Sequence, residues 1–275
     1  MELKATKVTR QYHRKGKGTN LFTAVQETDL LVPAGKLIEI EGRSGSGKST
    51  LLNMMAGILA PTSGRIELDG QDLYALQDAE LSRLRNRRIG MIPQGQTGLS
   101  ALTVLENVLL PTLLYPPDQT APAVRTSADA DPEADTPGKA VSEKTLRPAD
   151  ASNLTARAKE LRSAGASNLT ARAEDLLEQV GIAALRDARP DELSGGELRR
   201  LAVARALIMD PGIVLADEPT ADLDDENTKT VLSLLRRCAD EGRAVLLVTH
   251  EREAAAYADE LYRMNNGVLT RAAGI

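Results

Sequence analysis

Three short runs of apolar residues, each followed by polar residues, organise the sequence. They read Leu37-Ile38-Glu39-Ile40, Ile213-Val214-Leu215-Ala216 and Ala244-Val245-Leu246-Leu247-Val248. Short apolar runs bounded by turn residues are typical of strands buried on both faces of a parallel sheet. We therefore predict three central strands of such a sheet.

Stretches with helical periodicity lie between these strands. Leu51, Leu52, Met54, Met55 and Ile58 fit the buried side of one helix, and residues 198 to 208 and 228 to 238 fit two more. Strands that alternate with helices indicate an α/β fold, in which ligands bind at the carboxyl ends of the strands. The polar clusters of this chain stand at such ends, so the pattern predicts a nucleotide site there.

Composition removes several classes of function. The 275 residues carry a formal net charge of -5 and only 2% aromatic residues, so neither a basic field nor stacking side chains favour nucleic acid. Cys238 is the single cysteine, which excludes an internal disulfide and a cysteine cluster for zinc. We expect a cytosolic protein without a signal peptide or membrane span, because no apolar run is long enough.

The middle of the chain differs from the rest. Residues 116 to 150 hold seven acidic and four basic residues with few large apolar ones, which predicts a flexible insertion over about 116–167. The eight residues 151–158 recur unchanged at 166–173. The second copy continues into a predicted amphipathic helix that ends at Gly181 and buries Leu169, Ala173, Leu176, Leu177 and Val180. We interpret the first copy as a tolerated duplication.

A glycine-rich loop follows the first predicted strand. It reads Gly42-Arg43-Ser44-Gly45-Ser46-Gly47-Lys48-Ser49-Thr50 and fits the pattern GxxxxGK[ST]. In this pattern glycines let backbone N–H groups converge on phosphate oxygens, and the next helix adds its positive end. Lys48 then reaches the β and γ phosphates, and the Ser49 hydroxyl ligates Mg²⁺. The loop predicts a phosphate site.

Two further clusters fit a phosphoryl-transfer site. Asp217 and Glu218 close the second apolar run, where one carboxylate can hold magnesium and the other can polarise an attacking water. Ser194-Gly195-Gly196-Glu197 opens a predicted helix and offers a second cradle of N–H groups to an anion. A P-loop kinase is the enzyme alternative, but a kinase does not need this second phosphate-binding cradle.

Together these motifs resemble those of the ATP-binding-cassette (ABC) ATPases. GRSGSGKST is similar to their Walker A motif, LSGGE to their signature and IVLADEPT to their Walker B motif. Asp224 resembles the D-loop aspartate, Gln94 resembles the Q-loop glutamine, and His250 resembles the switch histidine. Tyr12, which we place ahead of the first strands, resembles the aromatic residue that stacks on adenine. The resemblance covers nearly everything outside 116–167.

The resemblance implies a single ABC domain over 1–275. It would comprise a P-loop NTPase (RecA-like) core at 1–93 and 205–275 with a parallel-rich sheet, an antiparallel β subdomain, and an inserted helical subdomain at 94–204. It further implies that two copies close head to tail around two ATP. Residues 42–50 of one copy would then bind ATP, while residues 194–197 of the second copy contact its γ-phosphate. Ser49, Gln94 and Asp217 would complete the Mg²⁺ environment.

The same resemblance implies catalytic roles for Lys48, Gln94, Glu218 and His250, and a permease as partner. The segment LRNRRIGMIPQ with LTVLENVLLPTLLY is similar to the branch of macrolide-export, lipoprotein-release and cell-division (MacB, LolD and FtsE) ATPases. We therefore expect an ATPase on the inner face of the cell membrane, attached to an FtsX/MacB-like permease. Two alternatives stay open: a regulatory cassette that gates a membrane partner without moving cargo, and a soluble ABC protein acting on DNA or ribosomes.

Overall fold

The structure is a computed structural model that describes residues 1–13, 21–95, 98–114 and 168–272. Its strands are β1 (Leu3–His13), β2 (Leu21–Val32), β3 (Leu37–Glu41), β4 (Ser63–Leu68), β5 (Gln71–Asp72), β6 (Ile89–Ile92), β7 (Ile213–Asp217), β8 (Ala244–Thr249), β9 (Glu260–Asn265) and β10 (Val268–Arg271). Its α-helices are α1 (Lys48–Met55), α2 (Asp78–Arg88), α3 (Val104–Leu114), α4 (Asn168–Gln179), α5 (Gly195–Leu207) and α6 (Asp225–Asp240).

The central sheet has the strand order β10-β9-β3-β8-β7-β6. Every neighbouring pair from β9 to β6 is parallel, and only β10 runs antiparallel to its neighbour β9. The three predicted central strands are therefore confirmed, and they lie next to one another as β3, β8 and β7. Because they are parallel, their carboxyl ends meet at one edge of the sheet.

Apolar side chains alternate between the two faces of this sheet. Leu37, Val214, Val245 and Leu247 pack on the face that α3, α4, α5 and α6 cover. Ile38, Ile40, Leu215 and Leu246 pack on the other face against α1 and a second, antiparallel sheet of order β2-β1-β4-β5. With a helical layer on one face and mixed cover on the other, the sheet is buried on both sides. The predicted fold class is confirmed.

Two local predictions were wrong. Helix α1 ends at Met55, because Gly57 adopts a left-handed backbone with φ of 69°, and Ile58 is 55% exposed instead of buried. Tyr12 does not precede the strands but lies within β1, since the β1–β2 ladder extends through the pair Tyr12 and Phe22.

The amphipathic helix of the second repeat copy is confirmed as α4. Ala173, Leu176, Leu177 and Val180 are buried, and Gly181 takes a left-handed backbone with φ of 70° just past the helix end. The first copy and the predicted insertion at 116–167 lie outside the described residues. Among the residues that are described, no helix is both long and apolar enough to cross a membrane.

Candidate nucleotide-binding and catalytic site

The loop between β3 and α1 is a phosphate-binding cradle by its geometry. Gly47 has φ of 109°, and a Cβ added there would collide with the carbonyl oxygen of Ala24 in β2, so this position accepts only glycine without rearrangement. Lys48 is 6% exposed, and its amine donates hydrogen bonds to the carbonyl oxygens of Gly42 at 2.6 Å and Arg43 at 3.2 Å. A buried cation therefore sits at the start of α1, where the helix dipole is also positive.

Carboxylates from the end of β7 face this loop. Ser49 donates a hydrogen bond of 3.1 Å from its hydroxyl to Oδ1 of Asp217, which is 4% exposed. Burial raises the pKa of the Asp217 carboxyl; the hydrogen bond from Ser49 opposes the rise, and the neighbouring Glu218 carboxylate adds to it. A divalent cation at this position would relieve that desolvated charge.

Glu218 connects the end of β7 with the end of β8. Its backbone is left-handed with φ of 50°, a conformation that a residue other than glycine adopts only at a cost of about 1–3 kcal/mol. Its amide donates to the Val248 carbonyl at 2.8 Å, and its carboxylate Oε2 accepts a hydrogen bond of 2.7 Å from His250 Nδ1. Because the carboxylate can only accept, Nδ1 carries the proton. Its Oε1 lies 4.0 Å from the Lys48 amine.

One cleft of about 980 Å³ gathers most of the residues that the sequence singled out. It is lined by Tyr12, Phe22, Ala24, Arg43, Ser44, Gly45, Gly47, Lys48, Ser49, Thr50, Gln94, Glu218 and His250. The lining combines a phosphate-binding loop with two aromatic side chains, which suits a ligand that carries both a triphosphate and a flat base. The described lining does not include the predicted site residues Gly42, Ser46, Asp217, 194–197 and Asp224.

Residues 194–197 and Asp224 form a second cluster at the start of helices α5 and α6. The exposed Ser194 caps α5, and Oε2 of Glu197 accepts hydrogen bonds of 2.7 Å from both the Ser194 amide and the Ser194 hydroxyl. These two bonds hold the pKa of Glu197 below its usual range. Asp224 caps α6 by accepting from the Asn227 amide at 2.8 Å, and the Asn227 side chain bonds Arg200 of α5. The cluster is thus one connected surface.

The buried Arg199 joins this signature helix to the cleft. It is 4% exposed, and its guanidinium donates to the backbone carbonyl oxygens of Pro93, at 3.2 Å, and Gln94. It also lies near enough to Asp217 to act on that carboxylate electrostatically. Helix α5 and the backbone of the cleft residue Gln94 are therefore linked through one side chain.

Comparison with known proteins identifies the family to which this chain belongs. The profile of the ABC transporter family matches residues 25–221. The chain belongs to the ABC transporter family of ATP-binding proteins. The matched range holds the Walker A loop, Gln94, the signature and the Asp217-Glu218 pair. Tyr12, Asp224 and His250 stand outside it.

Relatives of this ABC ATPase are similar over almost the whole chain. It is 35% identical to the "Lipoprotein-releasing system ATP-binding protein LolD" of Psychrobacter arcticus, with 96% of each chain covered. It is also 35% identical to the protein of the same name from Shewanella oneidensis, with 97% of this chain and 95% of that protein covered. The predicted placement in the branch of macrolide-export, lipoprotein-release and cell-division ATPases is confirmed.

Solved structures agree with the fold and the chemistry. The "Dimeric Structure of MJ0796, a Bacterial ABC Transporter Cassette" superposes with a TM-score of 0.73 at 27% identity and covers 99% of this chain and 100% of its own. A second MJ0796 structure, a dimeric post-hydrolysis state bound to ADP and Pi, superposes with a TM-score of 0.72. This chain is accordingly an ATPase of the ABC type.

The site's own atoms fit ATP and a magnesium ion. The Ser46 hydroxyl is buried and has no hydrogen-bond partner among the described residues, which suits a phosphate oxygen as acceptor. Ser49 and Asp217 place two hard oxygen donors side by side, the ligand type that Mg²⁺ prefers.

Two residues of this region were not predicted from the sequence. Phe22 lines the cleft only because strand register places it opposite Tyr12. Arg199 reads as an ordinary charged helix residue, since arginine is usually exposed, and no local sequence signal marks it as buried.

Proposed function

We propose that two copies of this chain close head to tail around two ATP and drive a separately encoded permease by hydrolysing them. The observation that carries this proposal is the separation of the two clusters within one copy. The cleft contains the phosphate loop and Glu218, whereas Ser194 to Glu197 cap a helix outside its lining. A second copy supplying the signature would complete each site. The dimeric state of the similar MJ0796 cassette supports this arrangement.

Within each site the protein positions groups and stabilises charge, because phosphoryl transfer leaves it little covalent work. The Lys48 amine neutralises phosphate oxygens in place of the carbonyls that it now contacts. Tyr12 stacks on the adenine ring. Ser194 to Glu197 of the second copy contact the γ-phosphate, and Asp224 lies at the contact between copies.

The carboxylates of Asp217 and Glu218 divide the remaining tasks. Ser49, Gln94 and Asp217 would hold Mg²⁺, which supplies charge neutralisation at the β and γ phosphates when bound. Glu218 accepts the proton of the attacking water or orients that water. His250, hydrogen-bonded to Glu218 through Nδ1, keeps the carboxylate aimed, and when Nε2 is protonated as well it donates from there to a γ-phosphate oxygen.

The domain plan follows the same proposal. Residues 1–93 and 205–275 act as the RecA-like core, and residues 94–204 as the helical subdomain that receives the permease. The relatives named as lipoprotein-releasing ATPases support a permease that extrudes or pulls cargo, of the FtsX/MacB-like kind. The motor then works at the inner face of the cell membrane through that permease.

Reconstitution with an FtsX/MacB-like permease from the same genome tests the proposal. The complex is placed in lipid vesicles, and ATPase rate and release of a labelled lipid-anchored protein are measured together. We expect the permease to raise the ATPase rate and ATP to drive release. A raised ATPase rate without release would favour the regulatory cassette instead. Failure of the two proteins to associate would refute the permease partnership.

A further inference from the structure

Phe22 stands opposite Tyr12 across the β1–β2 ladder. The antiparallel register of β1 and β2 pairs these two residues directly, and directly opposed residues project from the same face of a sheet. Both line the cleft, and their exposed fractions are 36% for Tyr12 and 42% for Phe22. Phe22 is the only phenylalanine in the chain.

Strand β2 fixes Phe22 relative to the phosphate loop. Ala24, two residues further on and part of the same cleft lining, lies so close to Gly47 that no Cβ fits between them. The Gln26 amide donates to the Gly267 carbonyl at 2.8 Å, and the Gly267 amide donates to the Ser46 carbonyl at 2.8 Å. Packed backbone thus fixes strand β2, which carries Phe22, against the phosphate loop.

Tyr12 is itself held in place by Arg10. The guanidinium carbon of Arg10 lies 4.7 Å from the centroid of the Tyr12 ring, in the geometry of a cation–π contact. Arg10 is anchored in turn by a hydrogen bond of 2.8 Å from Nη1 to the Ala60 carbonyl. A ring that is covered and oriented on one side is prepared to receive a flat ligand on the other.

We propose that Phe22 is a second aromatic contact for the base of the nucleotide, so that Tyr12 and Phe22 together hold the adenine ring while Arg10 positions Tyr12. The inference rests on the proposed role of Tyr12. Flat apolar faces stack on a base without reading its edge, so this pair contributes affinity for purine nucleotides more than choice between them.

The test compares ATP with a ligand that has phosphates but no base. Binding of ATP and of inorganic tripolyphosphate is measured by calorimetry for the full chain and for Tyr12→Ala, Phe22→Ala, Phe22→Trp and Leu21→Ala. Leu21 is the matched control, because it neighbours Phe22, is 56% exposed and pairs with His13 instead of Tyr12. We expect Phe22→Ala to weaken ATP about tenfold and leave tripolyphosphate unchanged, since stacking on one aromatic ring is worth about that much.

The other variants separate the possible outcomes. Phe22→Trp and Leu21→Ala should keep ATP affinity within about twofold, because one retains a stacking ring and the other removes a side chain outside the cleft. Unchanged ATP affinity in Phe22→Ala, or an equal loss for tripolyphosphate, would overturn the proposal. If Tyr12→Ala weakens ATP while Phe22→Ala does not, only the second contact fails. If neither variant weakens ATP, the base site at Tyr12 fails as well.

Discussion

Glu39 makes the stability of this protein depend on pH in a way that can be calculated. It lies in the middle of the central strand β3, is 0% exposed, and neither carboxyl oxygen has a hydrogen-bond partner in the described part of the chain. Its register partners are Leu247 in β8 and Leu261 in β9. Burial raises the pKa of Glu39 to about 7, and the charge of Glu41 adds to the rise.

The direction in which stability changes with pH follows from which state, native or unfolded, holds the proton. The native state keeps Glu39 protonated up to about pH 7, whereas the unfolded chain releases the proton near 4.5. The contribution of Glu39 to the free energy of unfolding is therefore greatest below about pH 4.5 and is lost as the pH rises through about 7. At 1.36 kcal/mol per pH unit the full loss is about 3 kcal/mol, of which about 2 kcal/mol falls between about pH 5.5 and pH 8.5.

Replacing Glu39 by glutamine or methionine removes this titration. Urea unfolding of the wild type, Glu39→Gln and Glu39→Met at about pH 5.5 and pH 8.5 measures the free energy of unfolding directly. We expect both variants to gain about 2 kcal/mol relative to the wild type between the two pH values. A difference between variant and wild type that stays constant with pH would refute the reasoning, whatever its size.

Two further predictions concern parts of the chain outside this strand. Arg199→Gln removes the charged donor to the Pro93 and Gln94 carbonyls. We expect the ATPase rate, measured by steady-state kinetics, to fall about tenfold, while ATP affinity, measured by calorimetry, stays nearly unchanged. An equal fall in rate and affinity would contradict the link between helix α5 and Gln94. Deleting residues 118 to 165 should leave the ATPase rate largely intact, because every described site residue lies elsewhere; loss of ATPase in a deletion that still unfolds cooperatively would assign that segment a working role.

Much of the fold was readable because its physical causes are local. The apolar runs of β3, β7 and β8 can be satisfied only between two covered faces, and the glycine pattern of residues 42–50 leaves few alternatives to a phosphate loop. The capping box of Ser194 and Glu197 also follows from their spacing.

The remaining features depend on tertiary structure. Phe22 reaches the cleft through the register of β1 and β2, which the sequence does not specify. Ile58 continues a helical pattern that Gly57 interrupts, so periodicity alone misplaced it. Glu39 was recognised as part of a buried strand, but that its carboxyl has no hydrogen-bond partner among the described residues emerges only when the neighbouring strands are known.

The central claim is that Glu218 acts on a nucleotide enclosed between two copies, and Glu218→Gln tests it most directly. ATP hydrolysis, bound nucleotide and size on gel filtration with ATP are measured for this variant and for Glu80→Gln, an exposed control in α2. We predict that Glu218→Gln loses hydrolysis by about 100-fold or more, keeps its ATP, and elutes as an ATP-dependent dimer, while the control behaves as wild type. Hydrolysis at the wild-type rate, or ATP retained by a monomer, would contradict the account.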